Sequence, residues 1–321
     1  MRGSSPIRLN VSELQDFMRC KYRWYAKWVL NRVPRVTPTP LTLGKLVHTI
    51  FEDHLSLGKP MGDAIIHRRR EFLDGLADVH DPYAISNAHE AIAILDGMDE
   101  ALRQWRDEYV MDVPALEVEE SFSYPDKELG IEWIGRPDRV SVDSSGRMWH
   151  NQVKNLAAGV NFAVFLDLQQ RSYHEHLYGE ALAAKYPEYK YGGTMFTLIR
   201  KVKYRTGVTK ANPDGKVKPL SEMFWQSPMA IDLTSWHHND VMSSLRANAR
   251  ELLDAREQYS KYGRIPPPNE LANGGPFGNS PDLYFRVLTG DALLSDDNLF
   301  MDREDTYNKE NSNAEEVNAA S

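Results

Sequence analysis

The chain has almost no cysteine: Cys20 is the only one among 321 residues. A disulfide framework, a multi-cysteine zinc site and an iron–sulfur cluster held within one chain are thereby excluded, and a reducing interior such as the cytoplasm is favoured. No run of about 18 uncharged apolar residues is present, so no membrane span is expected. The start, Met1-Arg2-Gly3-Ser4-Ser5-Pro6, leads into no apolar stretch, so a secretory signal is not expected either. Internal repeats are absent. Hydrophobic residues make up 41% and charged residues 26%, which excludes a fibrous or wholly disordered chain.

Charge is informative by location. Residues 291–321 carry nine acids and two bases, a net −7 out of a formal −8. A polar, acidic and disordered tail is expected there, leaving 1–290 as one folded domain of near-neutral charge. Two basic stretches lie inside that body. From Phe17 to Phe51 there are seven bases and no acid, interleaved with Tyr22, Trp24, Tyr25 and Trp28; from Arg200 to Lys218 there are seven bases against Asp214 alone. Bases attract phosphates and aromatics can stack on nucleobases. The competing reading is a helix whose aromatics face the core and whose bases are solvated.

Hydrophobic periodicity and punctuation predict the following elements. Ser12 caps a helix through about Leu30. Leu43–Leu57 is helical, and 62–110 is mostly helical with a break near Asp81-Pro82. Leu116–Tyr124 alternates as a strand, Ile131–Asp143 is a second strand, and Asp143-Ser144-Ser145-Gly146 turns into a third, Arg147–Asn155. A helix over Phe162–Tyr186, a strand over Gly193–Val202 and a long helix over Trp236–Tyr262 follow, then an irregular Gly/Pro-rich run to Pro281. The order is helix, three strands, helix, strand: a mixed α/β core with added helices.

A hairpin turning about Ser144-Ser145 sets Asp138 opposite Asn151 or Gln152. Residues 152 and 154 share a face, because strand side chains alternate. Asp138, Gln152 and Lys154 are thus expected to converge. An acid, a second oxygen ligand and a lysine across two strands suit a hard divalent cation beside a phosphodiester, with Mg²⁺ or Mn²⁺ preferred over zinc.

Gly135-Arg136-Pro137-Asp138 followed by Gln152-Val153-Lys154 resembles the signature of the PD-(D/E)XK nuclease superfamily. Gly44-Lys45-Leu46-Val47-His48, Gln169-Gln170-Arg171-Ser172-Tyr173, Val11-Ser12-Glu13-Leu14 and the segment Arg19–Tyr25 resemble the further motifs of its RecB-type exonucleases, the group of the phage and CRISPR-associated exonucleases. The resemblance covers about residues 9–205 and implies a restriction-endonuclease-like α/β core. It implies His48, Asp138, the residue at 152 and the carbonyl of Val153 as metal ligands, and Lys154 as the catalytic lysine. Gln169 and Tyr173, one helical turn apart, would orient Lys154 or touch the DNA backbone. Arg19, Lys21, Arg23, Trp24, Arg136, Arg200, Lys201 and Lys203 would hold the strand. DNA is the implied substrate, and a recombination or annealing protein the implied partner, in a bacterial or phage-infected cell.

Two departures matter. The family carries Asp or Glu where this chain has Gln152. Its neutral amide is a poorer ligand for a hard cation, so weak cleavage is expected, whether the Gln is engineered or natural; a non-catalytic DNA-binding or scaffold subunit is the alternative. The late cysteines of cluster-bearing relatives are missing, so Cys20 is expected to pack as a small apolar group. Glu52 could join the metal site or pair with a base. Glu119 and Glu120 could supply an auxiliary acid, but a solvated strand face is the expected position; His237-His238 are expected to be exposed, and His174 and His176 to point apart on a helix.

Overall fold

The computed structural model describes residues 6–34, 39–56, 59–76, 82–109, 115–156, 159–200, 224–264, 295 and 300–302. The basic run from 201, with Lys201 and Lys203, the Pro-rich run to 281 and the tail from 303 lie outside the described residues. Two compact units are distinguished, one of residues 1–11 and 37–250 and the other of residues 12–36 and 251–321.

The larger unit is the mixed α/β core that the sequence predicts. Its principal sheet has five strands in the order β3 (Ala115–Val118), β6 (Arg139–Val142), β7 (Arg147–Leu156), β8 (Lys190–Arg200) and β9 (Phe224–Ala230). β7 and β8 are parallel and the other neighbours antiparallel. Strand alternation divides its side chains between two cores. Val153 and Ile199 face a helical layer of α3 (Thr39–Ser56), α4 (Met61–Asp74) and α5 (Pro82–Tyr109), packing with Leu43, Val47, Ile50 and Leu95. Met148, Leu156, Phe196 and Leu198 face the other way, toward α6 (Phe162–Gln169) and α7 (Tyr173–Lys185). Five-residue β5 (Ile131–Gly135) belongs to a second sheet, between β1 (Ile7–Leu9) and β4 (Phe122–Asp126).

Three expected elements divide where the backbone demands it. Ile131–Asp143 is two strands in two sheets, β5 and β6, because Pro137 has no N–H for a ladder. Gly135 makes the departure close: a Cβ there would lie 2.3 Å from the Tyr178 ring and 2.6 Å from Phe122. The alternation through Leu116–Tyr124 is interrupted at Glu119, which takes a left-handed φ of 51°, and β3 and β4 pair with different sheets. The helix expected over Phe162–Tyr186 is α6 and α7 with a break at Gln170–Ser172; Asn161 caps the first through its side chain.

In the smaller unit the helix expected through Leu30 is α1 (Val11–Arg19), the short α2 (Lys21–Trp24) and a π-helical turn, Tyr25–Val29. The end of α8 (Trp236–Tyr262) belongs here too, as does the pair β2 (Arg32–Pro34) and β10 (Phe300–Asp302). Trp24 is fully buried and its Nε1–H donates to buried Glu13, so it is a core residue and not a platform for a nucleobase. Lys27 and Arg23 pair with Asp16, and Lys21 with Glu251; Arg19 is exposed. Cys20 is buried, and its Sγ accepts from the Arg23 N–H. Among the described residues no helix is long and apolar enough to cross a membrane.

Gly193 sits in β8 next to the irregularity in its pairing with β7, at φ 131°, where a Cβ would lie 2.1 Å from the Met229 carbonyl oxygen. Gly193→Ala is expected to destabilise the fold by about 2 kcal/mol or more. The check is a lowered thermal midpoint beside Gly159→Ala, which has no left-handed backbone and whose Cβ meets nothing within 4 Å.

Candidate metal centre

The β6–β7 hairpin has the register that the turn predicts. Arg139 pairs with Asn151, so Asp138, one residue before β6, is level with Gln152. Asp143 builds the turn: its side chain accepts from the hydroxyl and backbone N–H of Ser145, from the backbone N–H of Arg147 and from Trp149 Nε1. Those hydrogen bonds, first of all from Ser145 and Trp149, hold its carboxyl well below the usual range.

Asp138 is fixed from two sides. Its Oδ2 accepts the backbone N–H of Val153 at 2.9 Å, and its Oδ1 lies 3.6 Å from Nδ1 of His48 on α3. His48 is thereby brought from a helix to the strand ends, as the resemblance implies. Glu119 joins them: one ligand atom from each of His48, Glu119 and Asp138 lies within 4.8 Å of the other two. The expected solvated position of Glu119 is therefore corrected; its side chain is 14% exposed and Oε2 lies 3.1 Å from Arg136 Nε. The three residues line a cavity of about 30 Å³ with Phe51, Glu52, Arg139, Asn151, Val153, Thr197 and Gln226. Roughly 10–15 Å³ suffices for one water, so the space fits an ion with a coordinated water. The donor set also fits: two carboxylates and an imidazole are ligands that a divalent cation takes.

Gln152 and Lys154 share a face, as alternation requires, but it is the face that α7 covers. Gln152 is buried, its amide nitrogen lies 2.7 Å from His174 Nδ1, and its Oε1 has no hydrogen-bond partner in the structure. Lys154 is half-buried two residues on. Gln169 and Tyr173 do not form the expected single-turn pair, because the break at Gln170–Ser172 puts them on different helices. The Tyr173 hydroxyl bonds Ser244 and Asn248 of α8. The pair that α7 does present to the sheet is His174 and Tyr178, one turn apart, with ring centroids 3.8 Å from each other. The Tyr178 hydroxyl accepts the backbone N–H of Arg136 at 3.0 Å. The signal for them is in the sequence one residue after Tyr173, where the same four-residue spacing recurs as His174 and Tyr178. Arg200 reaches the Val160 carbonyl and covers the Phe162 ring.

Behind Gln152 lies a buried polar layer. Glu175 accepts from Thr194 Oγ1 at 2.6 Å and meets His174 at 3.2 Å and His150 at 3.7 Å. Burial alone would raise its carboxyl, but the hydrogen bond and charge of His174, with His150 and Thr194, outweigh burial and keep it low. Burial pushes His150 down to about 4, against a smaller opposite pull from Glu175. His174 and His176 point apart, as expected: His176 Nδ1 lies 2.9 Å from Nδ1 of His238. His238 corrects the expected exposure of the 237–238 pair, being buried with Nε2 3.1 Å from Glu180.

A family model of the PD-(D/E)XK nuclease superfamily matches residues 8–261, and the chain belongs to that superfamily. Its members are metal-dependent nucleases, and the His–Glu–Asp cluster is a group of side chains able to hold a divalent ion. No curated protein matches the chain.

The neutral, buried His150 sets a pH dependence. Its pKa in the folded chain, about 4, lies below the ordinary 6.5, so the unfolded chain binds more protons between those values. Stability is full above about pH 6.5 and falls by roughly 1.4 kcal/mol per pH unit below it, until the folded pKa is reached. Thermal midpoints are expected to drop between pH 7.5 and pH 5.5, and His150→Gln to flatten that slope.

Proposed function

We propose that the chain is a metal-dependent DNA exonuclease of the RecB type, acting in recombination, repair or phage DNA processing. In this reading residues 1–290 serve as one nuclease domain and the acidic 291–321 as a solubility or partner-binding tail. The observation that carries the reading is the approach of His48 to Asp138 at 3.6 Å in a cavity that also holds Glu119. A divalent ion bound there supplies Lewis-acid polarisation of the scissile phosphate and a lowered pKa for a coordinated water. The chain's own groups do the rest. Asp138, locked by the Val153 N–H, presents one carboxylate oxygen to the cavity. The backbone carbonyl of Val153 belongs to the same ligand set. Lys154 is the lysine that the family motif assigns to the charge developing on the phosphate, although it shares the α7-side face of β7 with Gln152 and does not line the cavity; Gln152, neutral, adds no charge. Arg136, and in the other unit Arg19, Lys21 and Arg23, are the bases assigned to the DNA strand, with Arg200, Lys201 and Lys203 from the second basic stretch. Mg²⁺ or Mn²⁺ is the cofactor, and a recombination or annealing protein the partner.

One observation favours a second reading. Gln152 is engaged with His174 and contributes no charge, which suits a DNA-binding subunit that keeps the fold without cleaving. The two differ in one assay. Linear labelled DNA with Mg²⁺ or Mn²⁺ is expected to be degraded slowly by the chain and faster by Gln152→Glu, while Asp138→Asn lowers the rate by roughly 10²-fold with its thermal midpoint retained. Silence of both the parent chain and Gln152→Glu, with DNA binding intact, would establish the scaffold.

A further inference from the structure

The acid missing at position 152 is present on the other side of Asp138. β6 lies between β3 and β7. On the β7 side the register sets Asp138 level with Gln152. On the β3 side Val118 pairs with Arg139, and one residue on, Glu119 is level with Asp138. The Glu119 backbone N–H donates to the Asp138 carbonyl at 3.2 Å, which continues that ladder past the end of β3. Directly opposed residues have Cβ atoms about 4.5–5.5 Å apart, so either flank of Asp138 is within reach of an ion that Asp138 binds. The left-handed backbone of Glu119 is where its strand turns out of the ladder, and its carboxylate reaches the cavity lined by His48 and Asp138. Gln152 goes the other way, to His174, and is not among the residues lining that cavity.

We propose that Glu119 supplies the second carboxylate to the divalent cation, opposite in the sheet to the position where the family motif carries it, so that this chain binds its ion with Gln152 in place. The proposal rests on the metal-dependent reading above. An octahedral ion with oxygen ligands at about 2.1 Å spaces adjacent ligands about 3 Å apart and opposed ones about 4.2 Å apart. The cluster, with its ligand atoms all within 4.8 Å of one another, needs only a small contraction to close on an ion. Without the ion, Arg136 faces Glu119 through Oε2. It competes with the metal for the same carboxylate, and in a substrate complex it is positioned to pass from Glu119 to a phosphate oxygen. Glu52 lines the cavity as well and is the acid against which the assignment must be tested.

The experiment is a Mn²⁺ titration of the full chain without DNA, read from the loss of the free-ion electron paramagnetic resonance signal, with thermal midpoints as the fold control. The parent chain is expected to bind Mn²⁺. Glu119→Gln and Asp138→Asn are each expected to weaken binding roughly tenfold or more, Glu119→Asp to recover part of it, and Arg136→Gln to tighten it by removing the competing charge. If Glu119 merely braces Arg136, Glu119→Gln and Arg136→Gln act in the same direction, and the proposal is overturned. It is also overturned if Asp138→Asn loses the ion while Glu119→Gln keeps it, or if Glu52→Gln produces the loss instead; in those cases the metal-dependent reading survives. A parent chain that binds no Mn²⁺, and no more than Asp138→Asn does, overturns both.

Discussion

The arrangement depends on the anchoring of one carboxylate. Asp138 stands just outside β6, where Pro137 has ended the previous strand and the β6–β7 ladder has not begun. Without restraint its side chain would be free to turn to solvent. The Val153 N–H takes one oxygen at 2.9 Å, and a hydrogen bond from a neutral donor to a charged acceptor is worth more than a neutral pair. With that oxygen fixed, the other is aimed at His48 on α3. A helix from one layer and strand ends from another then meet at one point, and the packing of Val47, Ile50 and Val153 in a common core keeps them there. The chemistry is confined to loose strand ends, but the positions are set by the apolar contacts behind them.

The sheet gives the site two different sides. The face toward α3 is open at the cavity and carries the acids and the imidazole. The face toward α7 is closed by the buried Gln152, His150, Glu175 and Thr194 and the half-buried His174. Buried polar groups are costly unless they are partnered, and here the partnering is partial. Glu175 is satisfied several times over, whereas both ring nitrogens of His150 and the Oε1 of Gln152 make no hydrogen bond among the described residues. An ionised acid at position 152 would sit beside the Glu175 carboxylate, also ionised in that layer, and two like charges in a low-dielectric setting disfavour each other. A neutral Gln, with its amide 2.7 Å from His174 Nδ1, avoids that conflict. The residue at 152 is thus suited to its buried neighbours on the α7 side, whatever it contributes to an ion.

Much of this was legible in the sequence where a local rule acts alone. The Asp-Ser-Ser-Gly turn gives the β6–β7 register, since a two-residue pivot fixes which residues face each other. The limits of α8, Trp236 and Tyr262, coincide with the sequence reading because nothing competes with an amphipathic run that long. His48 and Asp138 were legible as partners through the resemblance. What was not legible depends on several elements at once. The break between α6 and α7 carries no glycine or proline, and apolar residues on both sides hide it, so Gln169 and Tyr173 were read as one face of one helix. Glu119 was hidden by a period of two that runs on through residues belonging to different sheets. Trp24, read as a possible base platform from its basic neighbours, is in the core because its indole N–H finds Glu13.

Glu119 illustrates why a motif and a site are different objects. A motif fixes residue types along the chain, whereas an ion responds only to the charge and distance of the atoms around it. In a sheet every residue has two lateral neighbours at nearly the same distance, so a carboxylate moved from one neighbour of Asp138 to the other leaves the ion's surroundings largely unchanged while it removes the residue that the motif requires. The cost of the move falls on the strand that must supply the acid. β3 has to leave its ladder at that point through a residue in the left-handed region, where a side chain other than glycine is disfavoured by about 1–2 kcal/mol. That local strain, the Arg136 contact and the backbone bond to Asp138 act on one glutamate, and they are more constraint than a solvent-facing strand residue requires.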